Sequence, residues 1–131
     1  MGKIIVRDSE TIEPTLFKGR ESRRLISPER DGSKKMSLHL IHRFVRGVGN
    51  ANRYPENDEI LYFLEGEGYL LEGEESFPFQ AGMCAFIPAD TSYKIYSRTD
   101  VKMLAILSPP RYREEWKSRE DIVKMEPPLK E

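Results

Sequence analysis

The residues of this 131-residue chain best equipped for chemistry are two histidines, one cysteine, a group of arginines and a block of acids. His39 and His42 are the only histidines, and both lie in the run MSLHLIHRFV at 36–45. Strand alternation there puts Leu38, Leu40, His42 and Phe44 on one face and His39, Ile41, Arg43 and Val45 on the other, so the two imidazoles cannot act together. The first set is the more apolar and is assigned inward. His42 is then a candidate pocket residue, and His39 is placed outside. Cys84 sits in a short apolar run with no histidine or second cysteine near it; nucleophilic work needs a stabilised thiolate, so it reads as buried, inert packing. Arg43, Arg46 and Arg53 are candidates to meet a carboxylate or phosphate, with Arg46 assigned to the surface. Residues 54–80 hold eight acids (Glu56, Asp58, Glu59, Glu65, Glu67, Glu72, Glu74, Glu75) and no base. Apart from Glu59, they read as solvated hairpin faces or edge-strand protection.

The elements that must position these groups are strands. Residues 36–45, 59–65, 67–72, 84–88, 92–97 and 101–107 are short apolar or alternating runs separated by Gly, Pro and Asp turn chemistry. Weaker strands are read at 2–7 and 22–26, with a turn at Asp31-Gly32. Strands so closely spaced, with no helix between them, predict an all-β sandwich or barrel. After Ser108, the segment Pro109-Pro110-RYREEWKS predicts an N-capped short helix, and Trp116 is expected to pack it onto the barrel. Ser118 and Asp121 are read as possible caps of a second short turn. One domain is expected over 1–131, with a core at about 36–108, N-terminal strands in 1–35 and a helical tail at 109–131.

Composition narrows the function classes. A formal net charge of −1, from 21 basic and 22 acidic residues, provides no field for nucleic acid or an anionic bilayer. No apolar run approaches the ~20 residues of a membrane span, and the N-terminus lacks a secretory h-region. A lone cysteine cannot form an internal bridge, which points to a reducing, cytoplasmic compartment.

The segment GVGNANRYPENDEILYFLEG (47–66) resembles the first motif of the cupin family, and GMCAFIPADTSYKIYS (82–97) the second. Glu59 and Gly66 stand at the family separation, as do Gly82 and Pro88. The resemblance implies a double-stranded β-helix, a jelly-roll β-barrel, with here a short C-terminal helix. It also implies that Asn52, Tyr54 and Tyr93 occupy positions where metal-binding members carry histidine, while Asp90 replaces a motif glycine and Ser97 an asparagine. A register shifted by one residue would place Arg53 and Pro55 at the first two positions. Of the usual four ligands only Glu59 remains. A phenol must lose a proton of pKa ~10 to become a good ligand, so no metal cofactor is expected.

On this carry-over Glu59, Tyr54 and Tyr93 are the candidate catalytic set. Asn52, His42, Arg43, Phe63 and Phe86 would line a pocket with apolar walls and few polar fixtures. A glutamate in such surroundings has its pKa raised toward neutrality and can act as acid or base. The alternative is that Tyr54 and Glu59 merely bond each other in space left by a lost metal. The expected ligand is a small polar organic molecule of carbohydrate-derived or keto-acid type. The barrel is read as a metal-independent isomerase, epimerase, lyase or cyclase, or as a non-catalytic binding module. A metal-dependent dioxygenase or isomerase using Glu59, His42, Tyr54 and Tyr93 is the alternative. A homodimer through edge-strand pairing is expected from the same resemblance.

Overall fold

A computed structural model describes residues 2–116, 119 and 121–128. In chain order its strands are β1 (Thr15–Phe17), β2 (Arg20–Ile26), β3 (Ser37–Arg43), β4 (Gly47–Val48), β5 (Asp58–Glu65), β6 (Glu67–Glu72), β7 (Glu75–Gln80), β8 (Cys84–Ile87), β9 (Lys94–Ser97), β10 (Val101–Ser108) and β11 (Ile122–Lys124). They form two antiparallel sheets, ordered β11-β1-β2-β3-β10-β5-β8 and β4-β9-β6-β7. This is the expected all-β jelly roll.

Period-two patterning drives the assembly. Along β5, Glu59, Leu61 and Phe63 are buried while Ile60, Tyr62 and Leu64 face out; β10 alternates in phase, burying Val101, Met103, Ala105 and Leu107. Across the gap the small sheet contributes Leu70, Phe79 and Ile95, and the rings of Phe63 and Phe79 stack at 3.9 Å between centroids. The core therefore fills the β5–β8–β6–β7 end of the barrel. The β2–β3 end is lined by polar side chains.

Several expectations are corrected. Residues 2–7 join no strand; Arg7 anchors this segment instead, on Asp31 at 2.6 Å and on the Leu25 carbonyl at 2.7 Å. Asp31 and Gly32 end a one-turn helix, Pro28–Asp31, capped by Ser27. The expected tail helix is a single 3₁₀ turn, Arg113–Trp116, and the chain then returns as β11 to pair with β1. Of the two residues read as caps of a second turn, Asp121 directly precedes strand β11 rather than a helical turn, and Ser118 lies outside the described residues. β7 was not anticipated because Pro78 interrupts it; as an edge strand it tolerates a missing donor. Cys84 is exposed rather than buried, since β8 is also an edge and alternation turns Cys84 and Phe86 outward. The faces of β3 are reversed as well: Ser37, His39 and Arg43 are buried inward, while His42 faces out and lies 3.6 Å from Asp100.

The motif glycine Gly66 has φ +94, and a Cβ there would stand 2.1 Å from the Asp100 carbonyl oxygen, a backbone atom that cannot yield cheaply. Gly66→Ala is expected to destabilise the fold by about 2 kcal/mol or more, measured by urea unfolding against wild type.

Candidate functional site

Two backbone hydrogen bonds assemble the site. Asn52 N donates to the Tyr93 carbonyl at 2.8 Å and Tyr93 N to the Asn52 carbonyl at 2.9 Å, which brings the two motif segments side by side. Asp90, at the position of a motif glycine, has φ +66, the left-handed conformation glycine adopts freely and aspartate tolerates. Its N–H donates to the Tyr54 carbonyl at 2.8 Å, tying the second motif to the first again.

Between the sheets, at the polar end, lies a cavity of about 30 Å³ lined by Asn52, Tyr54, Glu59 and Tyr93 together with Arg20, Ser22, His39, Arg43, Trp116 and Arg119. Glu59 is 3% exposed, and its Oε1 accepts a 2.5 Å hydrogen bond from the Tyr93 hydroxyl. Burial pushes the Glu59 carboxyl up to about 7, against the opposing pull of the Tyr93 bond and of Arg20 and Arg111. Tyr93 is pushed well above its ordinary value by burial and by Glu59. Tyr54, half-buried under the Arg111 guanidinium at 4.9 Å, is raised for the same two reasons. No hydrogen bond joins Tyr54 to Glu59 among the described residues; the partner of Glu59 is Tyr93.

Five anticipated residues thus meet in one cavity: Asn52, Tyr54, Glu59, Tyr93 and Arg43. Three others do not. His42 is on the outer face of β3. Phe63 belongs to the core beside Phe79. Phe86 is 63% exposed and borders, with Phe63 and Tyr93, a second, apolar groove of about 300 Å³ between β7 and β8.

Arg20, Ser22, His39 and Trp116 were not anticipated in the cavity. The first two stand on β2, alternating with Arg24 toward the interior, where charged residues are normally rare. Only β3 offered a signal, in its alternation of Ser37, His39 and Arg43 against Leu38 and Leu40; β2 is charged on both faces. His39 is fully buried with its ring 5.2 Å from Trp116, and its Nε2 meets Ser37 Oγ at 2.8 Å. Burial, with Arg24 and Arg111 nearby, lowers it to about 3, so the imidazole is neutral.

A divalent metal, as held by many cupin barrels, does not fit this donor set. Among the described residues no three His, Cys, Asp or Glu side chains gather. The alternative set fails on His42, which is outside, and Tyr54 and Tyr93 are both held in the neutral phenol form. Arg20, Arg43 and Arg119 add positive charge where a cation would sit.

No model of a known protein family matches the chain. It is 30% identical over 116 residues to the uncharacterized protein MJ1618 of Methanocaldococcus jannaschii, an alignment covering 86% of this chain and 93% of that protein. Its fold is similar to that of ectoine synthase from P. lautus, with a TM-score of 0.80 and 25% identity over 97% of this chain and 94% of the other. It is also similar to a putative ethanolamine utilization protein Q from Salmonella typhimurium, with a TM-score of 0.67 and 26% identity over 79% and 85% of the two chains. With its paired motifs and two-sheet barrel, the chain belongs to the cupin superfamily.

Glu59 keeps its proton to about pH 7 in the fold, whereas the unfolded chain releases it near 4.5. Folding therefore takes up a proton in this window, and the group's effect on stability worsens as pH rises through it. Above pH 7 the loss is complete, about 3 kcal/mol. Glu59→Gln keeps the acceptor for Tyr93 and does not titrate. Its stability gain over wild type should grow from near zero at pH 4.5 to about 3 kcal/mol at pH 8, read from thermal unfolding across that range.

Proposed function

We propose that the barrel binds a small polar organic molecule of keto-acid or carbohydrate-derived type, and that Glu59 transfers a proton to and from it in a metal-independent isomerase, epimerase or lyase reaction. The observation that carries this reading is the buried Glu59–Tyr93 pair. A carboxyl with a pKa of about 7 is matched to proton transfer near neutral pH. Tyr93 fixes Oε1, and Oε2 has no hydrogen-bond partner among the described residues. That oxygen can accept the proton from a carbon next to a carbonyl and return it to the same or a neighbouring carbon. Tyr54 supplies a neutral hydroxyl in the same cavity to steady the oxygen on which charge develops. The likeness to a synthase over nearly the whole chain supports a catalytic barrel.

The test is solvent deuterium incorporation, followed by NMR, into pyruvate, 2-oxobutyrate and a set of aldoses. Wild type is expected to catalyse exchange on at least one of them. Glu59→Gln should lose 100-fold or more and Tyr93→Phe about tenfold, with both variants folded. Exchange that survives in Glu59→Gln would overturn the assignment. Ligand-induced thermal shifts without exchange in any compound would leave a non-catalytic binding module.

We also propose a cytoplasmic homodimer. Its support is the outer face of the large sheet, where Leu38, Ile106, Ile60 and Phe86 align in one row across β3, β10, β5 and β8, with Leu40, Leu104 and Tyr62 in the next. Ile60 and Tyr62 are each 44% exposed, a contiguous apolar patch of the kind that marks an interface. A two-fold axis through the patch would set these rows against themselves. Light scattering is expected to give twice the chain mass, falling to one for Tyr62→Glu; a monomeric wild type would overturn it.

A further inference from the structure

We propose that the guanidinium groups of Arg20 and Arg43 form a receptor for the carboxylate of a small organic anion inside the barrel. This anion site lies in the cavity assigned above to the organic molecule and depends on that assignment.

Arg20 and Arg43 are register partners in the β2–β3 ladder and both line the cavity. Like charges directly opposite on adjacent strands repel, and burial strengthens the repulsion. Further along the same face, Arg24 shows how the fold treats a structural cation. It is opposed by Glu29 and, at 3.4 Å, by Glu126.

The other two are opposed by less negative charge, and the Arg20 guanidinium lies over the Phe17 ring at 4.2 Å. Arg43 is 5% exposed, and only its Nε is bonded, to Ser97 Oγ at 3.2 Å; its two terminal nitrogens meet no acceptor among the described residues. Arg20 has one carboxylate in reach, Asp121 at 3.7 Å, and that group already accepts from Arg119 Nε at 3.0 Å. Ser22 Oγ, two residues along the same face from Arg20, is buried without a partner. His39 Nδ1 and Trp116 Nε1 in the same cavity wall are likewise buried without a partner; buried polar groups are nearly always satisfied, so the cavity lacks a polar occupant. The charge left over defines it as an oxyanion.

Size and shape select the kind. A cavity of about 30 Å³ has room for a group the size of roughly two waters, so it takes the carboxylate while the rest of the molecule must lie outside it. A flat carboxylate fits it better than a tetrahedral phosphate, and matches the planar fork of a guanidinium. Ile41 and Met103 complete the wall with apolar surface, so the anion is an organic acid. Gly49 backs the receptor: a Cβ there would stand 2.5 Å from Arg43 Nη2.

The experiment is thermal shift and titration calorimetry of the full chain in low-chloride buffer. The probes are acetate, pyruvate, 2-oxoglutarate, neutral pyruvamide and inorganic phosphate. At least one carboxylate is expected to raise the Tm by several degrees, with pyruvamide inert and phosphate weaker. Arg43→Met should raise the ligand-free Tm, because it removes an unpaired buried charge, and should weaken carboxylate binding tenfold or more. Gly49→Ala, which displaces that guanidinium, should weaken it in the same direction while leaving the fold intact. Carboxylate binding unchanged in Arg43→Met, no shift with any carboxylate, or a larger shift with phosphate would each overturn the proposal. Glu59→Gln separates the two readings. Retained carboxylate binding in that variant, whatever becomes of proton exchange, supports the anion site by itself. A pyruvamide shift lost in Glu59→Gln and kept in Arg43→Met would preserve the barrel reading and remove the anion site.

Discussion

The hydrogen bond from Tyr93 to Glu59 is the constraint on which the barrel's polar end depends. Glu59 belongs to β5 in the large sheet, and Tyr93 lies just before β9 in the small one, so the bond spans the two layers. Tyr93 is held in place by its backbone exchange with Asn52, and Glu59 by the ladder on either side of β5. A carboxyl so enclosed is costly to ionise, and the same enclosure gives it a pKa useful for moving protons. One contact thus fixes the separation of the sheets and sets the chemistry between them.

The interior has two characters. At the β5–β8–β6–β7 end, stacked aromatic and aliphatic side chains supply the burial that stabilises the fold. At the β2–β3 end, Arg20, Ser22, Arg24, His39 and Arg43 point inward beside Ile41, and Leu38 and Leu40 of β3 point out. That inside-out pattern is unfavourable for a monomer folding alone. A polar occupant within and an apolar neighbour without would relieve both faces at once.

That inversion explains what could be read from the chain and what could not. Most strands over 36–108, though not β4 or the Pro78-interrupted β7, were legible because they carry their own alternation and are bounded by turn residues such as Gly66, Gly82 and Pro88. The motif spacing placed Glu59, Tyr54, Tyr93 and Asn52 in one site, since it reflects a backbone register that survives replacement of the histidines. The face of β3 was not legible from hydrophobicity, which assumes an apolar interior; it selected His42 where the fold selects His39. Arg20 was missed for the same reason. Cys84 and Phe86 were misplaced because an edge strand with an apolar outer face looks buried in one dimension. The 3₁₀ turn and β11 depend on β1, a partner that local sequence does not announce.

The pairing of β11 with β1 also bears on the order of events when the chain folds. Arg24 and Glu126, joined across the same edge, are 102 positions apart, and a contact of that separation carries a high loop-closure entropy. The aliphatic end of the barrel can form from the nearer pairings of β5, β6, β7 and β8 before the tail docks. Trp116, packed on Phe17 and His39, then closes the polar end last. Arg20 and Arg43, by contrast, meet in the β2–β3 ladder only 23 positions apart, so their juxtaposition comes with a nearby strand pairing rather than with the distant one that docks the tail.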